Sequence, residues 1–198
     1  SVHLFYPETK SAFLTYDLPE SDVRFSFYPT DFTQVNARLN RLMVQRALTL
    51  LNLTPNDRVL DLFCGLGNFS LPIARQCAHV TGIEGSEDMV KRAQMNAQQN
   101  DINNAEFYCA NLDDEDALTS YRHKQFTKLL LDPPRSGAQA LVKKMHLINP
   151  KTIVYVSCNP ATLARDCEIL VHQQGYRLCG AGVMDMFPHT SHVESIAV

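Results

Sequence analysis

No run of apolar residues approaches the roughly 18 that a membrane-crossing helix needs, and no signal peptide opens the chain. A cytoplasmic protein with no membrane partner is the expectation. No C-x-x-C pair occurs either, because Cys64, Cys77, Cys109, Cys158, Cys167 and Cys179 are scattered singly. Such spacing signals neither a zinc site nor an iron–sulfur cluster, so no metal is expected, and the thiols should be reduced and mostly buried. A basic excess is missing as well: the net charge is −3. That argues against a self-sufficient nucleic-acid binder, since phosphate neutralisation ordinarily shows as surplus Lys and Arg. Internal repeats and low-complexity tracts are absent, and nothing points to a protein partner, so a monomer is expected. What is present is 198 residues, 45% hydrophobic and 20% charged, the composition of a globular domain with material for a substantial core.

The chain is organised around Arg58-Val-Leu-Asp-Leu-Phe-Cys-Gly-Leu-Gly-Asn-Phe69. The apolar run ending at Phe63 is too short for a lone helix and too apolar for a loop, so it reads as a strand buried on both faces, as in parallel sheets. Gly65 and Gly67 then let the backbone turn tightly and approach a ligand, with N–H groups of the next helix facing it. Glu84 follows nineteen positions after Gly65, at the end of a second apolar strand, where a carboxylate can accept bonds from both hydroxyls of a ribose. The third glycine of the dinucleotide fingerprint is missing, Ser70 standing in its place. With no pyrophosphate to seat, the expected ligand shifts from NAD to another adenosine compound, S-adenosylmethionine.

Around that stretch the pattern alternates. Residues 1–30 alternate apolar and polar positions between prolines and read as two or three short antiparallel strands. Starting in mid-strand without an initiator Met reads as an excised fragment. Apolar positions near helical spacing predict an amphipathic helix over 35–51, ended by Asn52 and Pro55. Strands are then expected over 58–63, 79–84, 106–109, 127–131 and 152–156, with helices over 69–77, 86–99, 138–147 and 160–172. Ser86 is expected to cap the second of these helices and Pro160 to open the last. The acidic connection over 113–116 reads as a solvated face. Residues 176–186 and 193–198 read as two strands joined by a proline-containing turn. The expected fold class is α/β, a Rossmann-like doubly wound and mostly parallel sheet with an N-terminal antiparallel β segment; its ligands would sit beyond the carboxyl ends of the strands. The residues there are those from Phe63 to Asn68, then Glu84, Asn111, Asp132 and Cys158. Singly each has a plainer reading, Asn111 and Asp132 as turn residues and Cys158 as buried filler; together they are polar groups converging on one crevice.

At these positions the chain resembles the S-adenosylmethionine-dependent RNA uracil-5 methyltransferases. The resemblance rests on Asp31-Phe-Thr-Gln-Val-Asn36, Asp61-Leu-Phe-Cys-Gly-Leu-Gly-Asn-Phe69, Asp132-Pro-Pro-Arg-Ser-Gly137, Ser157-Cys-Asn-Pro-Ala-Thr-Leu-Ala-Arg-Asp166 and Asp185-Met-Phe-Pro-His-Thr-Ser-His-Val-Glu194. Among the branches it is most similar to bacterial enzymes that methylate a uridine of 23S ribosomal RNA. The resemblance implies a class I methyltransferase fold over 31–198, with 1–30 part of a central β insert. The family's N-terminal oligonucleotide-binding domain, and the four-cysteine iron–sulfur cluster of many ribosomal members, lie outside this sequence.

The same resemblance implies that Cys158 is the nucleophile and Glu194 the base. Carbon 5 of uracil is too weak a nucleophile to take a methyl group unaided. A thiolate adding to carbon 6 makes an enolate with charge at carbon 5, and a carboxylate then removes the surplus proton; partial burial suits it to that work. The thiol must ionise, so its site should favour negative charge. Gln34, Phe63, Gly65, Gly67, Asn68, Glu84, Asn111 and Asp132 are implied around S-adenosylmethionine, Asp132 with the uracil edge as its alternative. His189 and His192 would order the turn that carries Glu194. The RNA uridine must flip out of its stack to reach the crevice.

Other readings stay open at this point. Transfer RNA is the alternative substrate, and a non-catalytic S-adenosylmethionine or RNA-binding module is the alternative class. An enzyme acting on nitrogen through an Asp-Pro-Pro-aromatic motif is disfavoured, because Arg135 stands where the aromatic would stack. Cytosine-5 enzymes of RNA place a cysteine directly after the two prolines, where this chain again has Arg135.

Overall fold

The computed structural model describes residues 12–34, 36–114, 116–185 and 193–198. Nine strands and five α-helices occur among them. A hairpin of β1 (Leu14–Leu18) and β2 (Val23–Phe27) comes first, then α1 (Ala37–Leu51). The chain next alternates through β3 (Arg58–Leu62), α2 (Ser70–Ala74), β4 (His79–Glu84), α3 (Glu87–Gln99), β5 (Ala105–Cys109), β6 (Lys128–Leu131), α4 (Gln139–Lys143), β7 (Thr152–Ser157) and α5 (Pro160–Gln174). It closes with β8 (Ala181–Met184) and β9 (Glu194–Ala197). Seven strands form one sheet in the order β5-β4-β3-β6-β7-β9-β8, of which β5, β4, β3, β6 and β7 are mutually parallel and β9 is antiparallel to both its neighbours. This is the expected doubly wound α/β sheet with an N-terminal antiparallel segment.

The two faces of the sheet bury separate cores, because successive side chains of a strand point to opposite sides. Leu130, Val59, Val80 and Val154 face a layer made by α1, α2 and α3. Leu129, Leu131, Leu60 and Tyr155 face the layer made by α4 and α5. The hairpin joins the first core through Leu18, Val23 and Phe25. It is also tied to α3, where Asn96 Oδ1 accepts from the Ser26 N–H at 2.9 Å and Asn100 exchanges bonds with the backbone of Arg24.

Local chemistry sets the helix ends. Asn36, Ser86 and Asn159 accept from backbone N–H groups as N-caps, and Asn52 and Gly175 close helices in left-handed conformation. Two helices are shorter than the pattern predicts. The first, α2, stops at Ala74, and the segment expected over 138–147 divides into α4 and a 3₁₀ turn over Met145–Leu147. The cysteines depart from expectation too. Cys64 and Cys77 are buried, but Cys158 and Cys167 are half-buried and Cys109 and Cys179 exposed, the last two lying on or beside the outermost strands of the sheet, which have no further neighbour. The N-terminal strand expected near residues 2–6 and the turn with His189 and His192 lie outside the described residues, while α1 begins at Ala37 after the extended N-cap Asn36, two residues later than expected. Among the described residues no helix is long and apolar enough to cross a membrane.

Candidate active site

The register puts the carboxyl ends of β3, β4, β6 and β7 side by side: Leu62 pairs with Ile83 and Leu131, and Leu131 with Tyr155. Glu84, Asn111, Asp132 and Cys158 therefore emerge at one edge of the sheet. β3 is the switch point, with β4 on one side and β6 on the other, where open α/β sheets form their ligand crevice.

One half of this edge is built largely from backbone. Phe63 ends β3 in left-handed conformation (φ 65°), and Gly65 and Gly67 follow with φ of 54° and 96°. A phenylalanine held there costs about 1–3 kcal/mol, strain of the kind found where a ligand is clamped. Glu84 clamps the turn: its Oε2 accepts from the Gly65 N–H and its Oε1 from the Ser86 N–H, each at 3.0 Å. Each oxygen keeps lone pairs for further donors. Asn68 is fixed from behind. Its Oδ1 accepts from Tyr16 Oη and from Asn40 Nδ2, both at 2.9 Å, and its Nδ2 donates to Asn40 Oδ1 at 2.9 Å. Only one N–H of its amide is left to face a ligand.

Asp61 lies beneath the turn, fully buried, with one oxygen accepting from the Ser70 hydroxyl and Oδ1 without a partner. Burial, with the Glu84 charge adding to it and the Ser70 bond opposing, pushes its pKa up to about 7. Asp132, at the end of β6, is pushed well above the ordinary carboxylate range by burial and by the charges of Glu194 and Asp61. An orphaned buried oxygen and a set of carboxyl groups in which Glu84 acts on Asp61, and Glu194 and Asp61 on Asp132, make an acidic basin that suits a cationic ligand. Paired with the Glu84 lone pairs, it fits a compound bearing both ribose hydroxyls and positive charge, as S-adenosylmethionine does.

The other half is built from side chains on separate elements. Ser157 pairs with Ser195 across the antiparallel β7–β9 ladder, and Ser195 Oγ donates to the Ser157 carbonyl at 2.9 Å. The ladder stops at that pair, and Cys158 and Glu194 are the next residue on each strand's side, near enough for the Glu194 charge to act on the thiol. Burial raises the Glu194 carboxyl, while Arg135 pulls it down. The half-buried Cys158 thiol is raised by burial and by the Glu194 charge; the charge and hydrogen bonding of the Arg135 guanidinium pull it down. The balance leaves the thiol above its ordinary value, so the site on its own does not favour the thiolate as the sequence reading expected. Arg135 is the one group found to oppose that rise through its charge.

The loop carrying Arg135 is held by the helix that follows Cys158. Asn159 Nδ2 and Thr162 Oγ1 donate to the Arg135 carbonyl, and Arg165 donates to the Ser136 carbonyl. Buried Asp166 accepts from the Ala138 N–H at 2.7 Å and from the Tyr155 hydroxyl at 2.6 Å. Gly137 (φ 78°) has no alternative residue here, because a Cβ would stand 2.5 Å from Arg165 and 2.6 Å from Asp166. The segment Ser157–Asp166 is thus a bracket for the Asp132–Gly137 loop as well as the carrier of Cys158.

Two of the expected residues make no hydrogen bond to the rest of the site among the described residues. Asn111 is exposed and its Oδ1 accepts from the Asp113 N–H in a local turn, and half-buried Gln34 has no hydrogen bond to the others among the described residues. The sequence reading used Arg135 only to exclude other enzymes. The signal available for it was its place directly after a strand end, beside two prolines that fix the loop.

Known proteins resemble this chain in sequence and in fold. The family model described as tRNA (uracil-5-)-methyltransferase matches residues 10–198. The chain is 59% identical over 198 residues to the 23S rRNA (uracil(1939)-C(5))-methyltransferase RlmD of Legionella pneumophila (strain Paris), covering all of this chain and 45% of that protein. It is 54% identical to the protein of the same name from Methylococcus capsulatus (strain ATCC 33009 / NCIMB 11132 / Bath), covering 44% of it. The chain thus spans about half the length of these relatives. Among solved structures, the Pyrococcus abyssi tRNA (uracil-54, C5)-methyltransferase in complex with S-adenosyl-L-homocysteine superposes with a TM-score of 0.80 at 33% identity, over 94% of this chain and 44% of that one. The chain belongs to the tRNA (uracil-5-)-methyltransferase family.

Proposed function

We propose that this chain is the catalytic part of an S-adenosylmethionine-dependent enzyme that methylates carbon 5 of a uridine in 23S ribosomal RNA. The observation that carries the reading is the antiparallel return of β9, which sets Glu194 against Cys158 at the edge that also carries the glycine turn. The two most similar relatives described above support ribosomal RNA over transfer RNA as substrate. When bound, S-adenosylmethionine supplies an electrophilic methyl group. Glu84 and the turn from Gly65 to Asn68 would hold its ribose and adenosine side, above the buried Asp61.

The chain's own residues do the rest. Arg135 stabilises the Cys158 thiolate against burial and against the Glu194 charge. The thiolate adds to carbon 6 of a flipped uracil, forming an S–C bond and moving the ring's electron pair toward carbon 5. Asp132, raised well above the usual range by burial and by the charges of Glu194 and Asp61, can in its protonated form donate to the uracil carbonyl that takes up the enolate charge. After methylation, Glu194 takes the proton from carbon 5. The electron pair left behind reforms the ring double bond and expels the thiolate, so atoms and charges balance. Raised by burial, Glu194 is a stronger base for that step than an exposed carboxylate.

The test is incubation with RNA containing 5-fluorouridine, whose fluorine cannot leave as a proton does. A complex stable to denaturant is expected, in this chain or in a full-length relative, and none after Cys158→Ala. A Cys158→Ala protein that still forms the complex or still methylates would overturn the reading.

A further inference from the structure

We propose that the outer face of α1, with Arg38, Leu42 and Arg46, grips the sugar–phosphate backbone of the RNA beside the flipped nucleotide. This rests on the RNA-methylating reading above. From residue 32 to residue 56 the chain has three arginines and no carboxylate, within a protein whose net charge is −3. One of the three, Arg41, is bound to Glu20 of the hairpin. Arg38 and Arg46 are exposed and have neither hydrogen bond nor ion pair among the described residues. Spaced eight residues apart, they lie on one side of the helix, about 12 Å apart along its axis, so each can take its own phosphate. Leu42 lies between them, 48% exposed, and Phe32, 77% exposed, precedes the helix. These are apolar surfaces of the size a ribose or an unstacked base covers.

Helix stability does not explain the arrangement. Arg38 sits in the first turn of α1, where the helix dipole disfavours a cation; α3, by contrast, places Glu87 and Asp88 in its first turn. Location does explain it. The paired amides of Asn40 and Asn68, 2.9 Å apart, pin the first turns of α1 to the glycine turn, so the arginine face begins at the mouth of the crevice. The crevice itself carries the carboxyl groups of Asp61, Glu84, Asp132 and Glu194 against the single guanidinium of Arg135. A polyanion is repelled from such a basin, and its phosphates need cations outside the rim. An acidic interior for a cationic cofactor and a cationic flank for RNA are complementary parts of one surface.

The test compares Arg38→Gln/Arg46→Gln with the unsubstituted chain. Binding of a short fluorescent single-stranded RNA is measured between about 50 and about 200 mM salt, together with binding of S-adenosylhomocysteine. Losing two phosphate contacts should lower the slope of log affinity against log salt by about 1.4, at about 0.7 per phosphate on a single strand. Affinity should fall roughly tenfold, with S-adenosylhomocysteine binding and melting temperature unchanged. Lys143→Gln/Lys151→Gln, which removes two exposed cations elsewhere on the surface, should leave the slope nearly as it was. Equal slopes for the unsubstituted chain and the arginine variant would overturn the proposal, as would an equal drop in the lysine variant or an unsubstituted chain that binds no RNA. An unsubstituted chain that fails to bind S-adenosylhomocysteine would instead count against the methyltransferase reading.

Discussion

The two halves of the sheet edge are made in different ways. Around β3 and β4 the site is backbone: a left-handed phenylalanine, two glycines with positive φ, and one carboxylate bridging two N–H groups. Around β6, β7 and β9 it is side chains drawn from distant positions, Asp132, Arg135, Cys158 and Glu194, coupled through their charges. The first half holds a shape for a ligand and carries the strain of doing so. The second half holds reactive groups whose pKa values burial raises, with Arg135 opposing the rise at Cys158 and Glu194. Binding should therefore fail when the first half is altered, and chemistry when the second is.

Arg135→Gln should have the largest effect on that division. Without the guanidinium, both the Cys158 thiol and the Glu194 carboxyl move further up, since Arg135 lowers each of them. Activity needs both groups deprotonated, so the rising limb of kcat/KM against pH should shift to higher pH. The rate at about pH 7 should drop on the order of a hundredfold, as for loss of one charge-stabilising group, while S-adenosylhomocysteine binds as before. An unshifted profile would remove Arg135 from the chemistry.

Glu84→Ala should do the reverse. Calorimetry should show S-adenosylhomocysteine binding weakened by about 1–3 kcal/mol, the cost of leaving hydroxyls and turn N–H groups without an acceptor. The pH profile at saturating cofactor should keep its shape. Unchanged affinity would rule out the ribose role.

A third effect concerns stability and touches neither ligand nor rate. Asp61 has a folded pKa of about 7, above the value of about 3.9 for a free carboxyl. The folded state thus keeps a proton that the unfolded chain gives up. The Asp61 contribution to stability is most favourable in acid, declines as pH rises between these two values and is least favourable above about pH 7. Asp61→Asn keeps an acceptor for Ser70 and removes that dependence, so its melting temperature should exceed that of the unsubstituted protein at about pH 8 and match it at about pH 4. Equal melting temperatures at the higher pH would mean that Asp61 carries no such penalty.

The two halves also differed in how far they could be read in the sequence. The β3 turn and Glu84 are close in the chain, and short-range rules suffice there: a buried strand, glycines at its end, a carboxylate one strand later. The elements from β3 to α3 accordingly emerged within about two residues of expectation, the shortened α2 excepted. The pairing of Cys158 with Glu194 depends instead on a strand that returns antiparallel across intervening chain, and periodicity carries no register of that kind. Only the family resemblance joined them. Arg135 was passed over because its function comes from Asn159, Thr162 and Asp166 holding its loop, contacts no spacing rule announces. Asn68 shows the converse. It lies in the turn after β3 as expected, but most of its amide is used by Asn40 and Tyr16, a cost that a motif does not display.

The central claim is that Cys158 and Glu194, facing each other across β7 and β9, act in sequence, the first to make the adduct and the second to release it. Glu194→Gln separates the two steps. With natural uridine RNA and S-adenosylmethionine, the variant should add, methylate and then stall, giving a denaturant-stable band in which methylated RNA is attached to Cys158. Normal turnover by Glu194→Gln, with no trapped complex, would contradict the account and assign the proton to another base.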